Sequence, residues 1–201
     1  MKESDFWAGD FGDEYISRND SEKLLESNWR LFGKALNETW GECMSVIELG
    51  ANIGLNIEAI KRIYPHIKAA AVEINEKAFT HLLKVADVAY NCNLFDSRVT
   101  GQYDLAFTKG VLIHIHPDDL NAAYKRLFDL SRRYVLICEY YNPKPVEIEY
   151  RGEKGKLWKR DFAGEMMDKY PLRLVDYGFV YRRDKWPQDD INWFLMEKTN
   201  V

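Results

Sequence analysis

The chain has 201 residues, with 28 Lys and Arg against 32 Asp and Glu, for a net charge of −4. At 46% hydrophobic and 30% charged it has the composition of a folded globular chain, long enough for one domain with a sizeable core. The slight acidity offers no basic field for nucleic acid, and no run of about 18 apolar residues suggests a membrane span.

The three cysteines, Cys43, Cys92 and Cys138, are scattered and form no C-x-x-C pair. That fits reduced thiols of a cytoplasmic protein better than a disulfide frame or a zinc site. Met1-Lys2-Glu3-Ser4-Asp5 lacks the basic flank and apolar run of a signal peptide. No repeat or low-complexity linker divides the chain, so residues 1–201 read as a single domain.

Residues 1–20 mix acids, aromatics and two glycines, which argues against a regular element and also against disorder. Two readings stand side by side. Phe6, Trp7 and Phe11 form an arm packed on the body, or the arm is a lid whose Tyr15 and Arg18 reach a ligand carboxylate. Asp20 or Ser21 then caps a helix to about residue 37, with Leu24, Leu25, Asn28, Leu31, Phe32, Ala35 and Leu36 along one stripe.

Val46-Ile47-Glu48-Leu49 reads as a buried strand running into the turn Gly50-Ala51-Asn52-Ile53-Gly54 and a helix. Gly50 and Gly54 permit a tight turn and close backbone approach. That helix places Ile57, Ile60 and Ile63 inward and ends at Pro65. A second strand, Ala69–Val72, ends in Glu73 about 20 residues on, where a nucleotide-binding βαβ unit places the acid that grips ribose hydroxyls. A dinucleotide fingerprint would be G-x-G-x-x-G. Here Asn52 replaces the second glycine and the last spacing is one residue shorter, which fits an adenosine with an amino-acid tail better than a pyrophosphate.

Residues 76–86 read as a helix with Ala78, Phe79, Leu82, Leu83 and Ala86 inward, followed by strands near 87–92 and at 103–108. Pro117, with Asp118 and Asp119, opens a further helix carrying Leu120, Ala123, Tyr124, Leu127 and Phe128. A fifth strand covers 134–138. Residues 140–170 break the alternation, and late strands fall at 172–179 and 192–197. Alternation through the fifth strand predicts an α/β fold with a mostly parallel sheet.

The order and spacing of E-L-G-x-N-x-G, the ribose acid and the fourth-strand motif resemble class I S-adenosylmethionine (SAM)-dependent methyltransferases. Phrases outside these motifs are similar to the pseudaminic acid biosynthesis-associated methylases. They include Phe11-Gly12-Asp13-Glu14-Tyr15, Lys109-Gly110-Val111-Leu112-Ile113-His114-Ile115-His116-Pro117, Glu139-Tyr140-Tyr141-Asn142-Pro143 and Lys159-Arg160-Asp161-Phe162-Ala163-Gly164-Glu165.

The resemblance implies a Rossmann-like, seven-stranded sheet with helices on both faces and an antiparallel last strand. It implies SAM as cofactor, with Gly50, Ala51, Asn52 and Gly54 at its methionine and ribose end and Glu48 beside that turn. Glu73 and Ile74 would meet the ribose. Asn93 and Leu94 stand where an acidic adenine contact is usual, and Lys109 and Gly110 would lie beside the sulfonium. The implied reaction is methyl transfer to a small molecule, an acidic nonulosonic sugar or its nucleotide conjugate used in surface glycans. An NAD-dependent oxidoreductase and a non-catalytic adenosine-binding module remain the alternatives.

His114-Ile115-His116-Pro117-Asp118-Asp119 invites a metal, but His66 and His81 fall elsewhere and too few ligands remain, so no metal is expected. With an ordinary pKa of about 6.5, His114 or His116 is the expected base for a hydroxyl acceptor. Residues 151–160 carry five basic residues and one acid. They read either as a solvated loop or as a cover over an anionic acceptor, with Arg151 and Arg160 as its guanidinium contacts. Glu139, Tyr140 and Asp161 are further substrate-side candidates, Asp161 equally as a helix cap.

Overall fold

The computed structural model describes residues 7–19, 21–39 and 42–199, the side chains of 17–19 excepted. Phe6 lies outside the described residues. The elements are α1 (Asp10–Asn19), α2 (Glu22–Ala35), β1 (Ser45–Leu49), α3 (Leu55–Ile63), β2 (Lys68–Glu73), α4 (Glu76–Leu82), β3 (Val88–Asn91), β4 (Tyr103–Lys109), α5 (Leu120–Leu130), β5 (Ser131–Glu139), β6 (Val146–Tyr150), β7 (Glu153–Lys159), α6 (Phe162–Lys169), β8 (Leu172–Val180) and β9 (Ile191–Lys198).

Seven strands form one sheet in the order β3-β2-β1-β4-β5-β9-β8. The strands from β3 to β5 are parallel, and β9 runs antiparallel to both its neighbours. The predicted architecture is thus found, including its antiparallel last strand. Both faces are buried, so the central strands are near-continuous apolar runs. Val46, Leu105, Phe107 and Leu136 pack one face with Phe32, Ile57 and Ile60, while Ile47, Ala106, Val135 and Ile137 pack the other with Leu120, Tyr124 and Leu127.

Ser21 caps α2, its Oγ accepting from Leu24 N at 3.1 Å. The helix predicted over 76–86 stops at Leu82, and Leu83 is exposed rather than inward. Lys84, Val85 and Ala86 turn back through hydrogen bonds to carbonyls of 81 and 82, and β3 follows from Val88.

Two segments differ from their predicted form. Residues expected to be irregular form α1, whose first turn carries Asp10 and Asp13 at the positive end of the helix dipole. Gly12 suits the helix because a β-carbon there would collide with the Trp7 carbonyl. The basic run 151–160 is the turn and second strand of a hairpin, β6 paired with β7. Its two-residue turn is Arg151-Gly152, with φ of 54° and 85°, the left-handed pair that a tight hairpin requires. Among the described residues no helix is long and apolar enough to cross a membrane.

Candidate functional site

The carboxyl ends of β1, β2 and β4 lie side by side where the strand order reverses, the position at which open α/β sheets bind ligands. A cavity of about 650 Å³ opens there. Its floor is the turn after β1, with Gly50, Ala51 and Asn52. Its walls include Glu73 and Ile74 after β2, Asn93 and Leu94 after β3, and Lys109 and Gly110 after β4. Trp7, Gly12 and Tyr15 from α1 and the segment before it complete the lining.

The turn depends on backbone that side chains rarely adopt. Gly50 has φ 78°, and a β-carbon on it would come within 2.6 Å of Val111. Asn52 has φ 49°, a left-handed conformation asparagine tolerates, so it can stand where glycine is usual. This aims its N–H at Glu73 Oε2, 2.7 Å away. Gly54, expected against the ligand, does not line the cavity. Its bare backbone instead lets α3 start hard against Val85 and Leu82.

Glu73 is the hub. Asn52 N donates to one oxygen and Asn75 N to the other, each at 2.7 Å. Burial pushes its pKa up, while these backbone donors oppose the shift. Each oxygen retains a lone pair for a further donor. Asn75 also caps α4, and its Nδ2 donates to Asp13 Oδ1 at 2.9 Å. Asp13 pairs with Lys77 as well, which holds its carboxyl below the usual range. Helix α1 is thereby tied directly to the residues beside Glu73.

Glu48 corrects another expectation. It is fully buried beneath the turn and does not line the cavity. Asn56 Nδ2 donates to its Oε1 at 2.6 Å, while Glu48 Oε2 and Asn56 Oδ1 have no partner among the described residues. Desolvation pushes the Glu48 carboxyl up to about 8. Asn56 itself lines the cavity.

A second cavity of about 360 Å³ adjoins the first. Tyr15, Leu24, Lys109, Gly110 and His114 line both, so the two spaces meet at the end of β4. His114 is buried, its ring 4.7 Å from Trp7 and 5.0 Å from Tyr150 between centroids. Its Nδ1 lies 2.7 Å from the Lys156 carbonyl. A carbonyl only accepts, so Nδ1 carries the proton and Nε2 holds the lone pair. Burial takes its pKa down to about 4. His116 lines only the first cavity, with its side chain 49% exposed and Nδ1 accepting from Asp118 N.

Tyr140 and Arg151 line the second cavity, together with Tyr150, Gln188 and Asp189. Three substrate-side candidates fall elsewhere. Glu139 is buried at the end of β5 and lines neither cavity. Its Oε1 accepts from Thr108 Oγ1, Val111 N and Leu112 N at 3.0–3.1 Å, and its Oε2 from Ile113 N at 3.3 Å. It therefore anchors the loop that carries His114. Desolvation raises its pKa to about 7. Arg160 turns away to Glu165, 2.6 Å from Nε, and Glu165 also accepts from the Tyr124 hydroxyl. Asp161 caps α6, accepting from Gly164 N at 2.8 Å. The Arg18 side chain lies outside the described residues.

Reasoning from sequence missed Asn75, Asn56 and the 187–191 segment as parts of this region. Asn75, directly after a strand-ending carboxylate and opening a helix, carries a cap signal that could have identified it. Gln188 and Asp189 carry no such signal, because the antiparallel β9 brings them in from far along the chain. Among the described residues no group of three or more His, Cys, Asp or Glu is placed to hold a metal ion.

No protein-family model and no curated protein sequence matches the chain. Solved structures do. Magnesium protoporphyrin IX methyltransferase from Synechocystis PCC 6803, with bound SAM, is similar over 99% of this chain and 98% of that one, at TM-score 0.72 and 10% identity. The 1,6-didemethyltoxoflavin-N1-methyltransferase of Burkholderia thailandensis, with bound 1,6-didemethyltoxoflavin and S-adenosylhomocysteine, is similar over 98% and 87%, at TM-score 0.70 and 16% identity. Mitomycin 7-O-methyltransferase is similar over 99% of this chain and 61% of its own, at TM-score 0.71 and 12% identity. The chain has the Rossmann-like fold of these methyltransferases.

Proposed function

We propose that this protein is a SAM-dependent methyltransferase acting on a small-molecule acceptor. The observation that carries the reading is the junction of two cavities at Tyr15, Lys109, Gly110 and His114, on a fold shared with structures that hold SAM or its product. When bound, SAM supplies a methyl group activated by its sulfonium. The residues present suit it. Glu73 offers free lone pairs for ribose hydroxyls, and Asn56 and the Asn93–Leu94 segment line the same space. Helix α1 and Trp7 shield the site from water.

The acceptor occupies the second cavity. The Arg151 guanidinium at the rim favours an anionic acceptor, with Tyr140 and Tyr150 as apolar faces. The β6–β7 hairpin is its cover. The resemblance to pseudaminic acid biosynthesis-associated methylases points to an acidic sugar or its nucleotide conjugate. Calorimetric titration with SAM, S-adenosylhomocysteine and NAD tests the cofactor on wild type and Glu73→Ala. Binding of the first two, lost in the variant and absent for NAD, is expected. Binding of NAD alone would overturn the reading. A screen of acidic sugars with radiolabelled SAM tests the acceptor.

A further inference from the structure

We propose that Lys109 is the proton acceptor of the transfer, losing its own proton to solvent when a sulfonium occupies the first cavity and arriving at the reaction as a neutral amine. The inference rests on the SAM-dependent reading above. A methyl group can pass only where the two cavities meet, so the base must line both. The titratable groups that do are Tyr15, His114 and Lys109. Tyr15 packs edge-on against Trp7, with centroids 5.4 Å apart, as part of the aromatic cover. His114 is committed through Nδ1 to the Lys156 carbonyl, and its burial makes Nε2 a weak base near neutral pH.

Lys109 remains. Among the described residues its ammonium has no hydrogen bond or ion pair. Strand register brings a carboxylate toward it. Glu48 lies opposite Phe107, two residues before Lys109, so both charged groups project from one sheet face. Glu48 is nonetheless held by Asn56. The titratable groups that act on Lys109 are Cys138, its register partner on β5, Glu48 from β1, Asp189 from the segment before β9 and Glu139, which is turned to the 111–113 amides. Tyr15, His114 and Tyr140 share the second cavity with it. Burial already draws its pKa down, and a fixed positive charge close by draws it further.

The step balances. As the acceptor's bond to the methyl carbon forms, the carbon–sulfur bond breaks and leaves its electron pair on sulfur. Lys109 Nζ takes the acceptor's proton, so one positive charge moves from sulfur to nitrogen within the junction.

The test needs no acceptor. Titration calorimetry in buffers of different ionisation heat counts protons released on binding, from about pH 6 to about 9.5. The probes are SAM, which carries the sulfonium, and S-adenosylhomocysteine, which does not. Proton release with SAM and not with its product is expected. It should vanish in Lys109→Met, which should bind SAM more tightly, and should persist in Glu48→Gln. Lys109→Arg, a cation that cannot discharge, should also abolish release, and serves if the methionine variant does not fold. SAM binding without proton release, or release that survives both Lys109 variants, overturns the proposal. Failure of wild type to bind SAM at all would instead overturn the cofactor reading on which it rests.

Discussion

Gly50 and Val111 are packed so closely that a β-carbon on the glycine would lie 2.6 Å from the valine Cγ2. The turn after β1 and the loop after β4 therefore fix one another's position. Gly50→Ala combines this clash with a residue forced to φ 78°. It should cost about 1–3 kcal/mol in urea unfolding. Adding Val111→Ala should restore only the part due to the clash, leaving the backbone strain.

Glu139 accepts from one hydroxyl and three backbone N–H groups in a buried site. Glu139→Ala leaves those donors without partners and should cost about 3 kcal/mol or more, read as a fall in the unfolding midpoint. The loop bearing His114 should loosen first, seen as faster amide exchange at residues 111–114.

Glu48 makes stability depend on pH. Its carboxyl stays protonated up to about 8 in the fold, against an ordinary 4.5, because burial disfavours the charge. The folded chain then binds more protons than the unfolded one, so stability falls as pH rises from about 4.5 to about 8. Glu139 acts in the same direction up to about 7. Burial of Lys109 acts oppositely at higher pH, since the unfolded lysine binds its proton more tightly. Glu48→Gln should therefore flatten the decline between about pH 7 and 8, measured as urea midpoints across that range.

Arg151 and Arg160 should separate by phenotype. Arg151 borders the second cavity, so Arg151→Gln should raise acceptor KM several-fold with SAM affinity unchanged, in steady-state assays with whichever acidic sugar the screen returns. Arg160 is bound to Glu165. Arg160→Gln should lower the melting temperature and leave acceptor KM alone. Asp161→Ala should likewise act on stability, by about 1 kcal/mol, through loss of the α6 cap.

The sheet was legible because its strands are apolar runs, as at Val46–Leu49 and Tyr134–Cys138, separated by helices with clear stripes. The turn was legible because Gly50 and Asn52 hold left-handed backbone and the Glu73 carboxylate accepts backbone N–H groups, roles that few residues can fill. Less was legible where a residue's partner comes from elsewhere. Glu48, Glu139 and Arg160 look like ligand groups as isolated charges; only the fold shows Asn56, the 111–113 amides and Glu165 occupying them. The hairpin signal was present in the alternation Val146, Ile148, Tyr150 and the Arg151-Gly152 turn, but the surrounding lysines masked it. Helix α1 was hidden by Gly12, whose role is to admit Trp7.

The ring of His114 lies between Trp7, beside helix α1, and Tyr150, at the tip of the hairpin. Phe11 touches Tyr150 as well, with centroids 6.1 Å apart. The cover of the first cavity and the cover of the second are thus clasped together, and neither can swing out without breaking aromatic contacts held by the other. For a two-substrate enzyme this means that entry and departure at both chambers share one gate. Opening either chamber then means parting three aromatic rings and an imidazole.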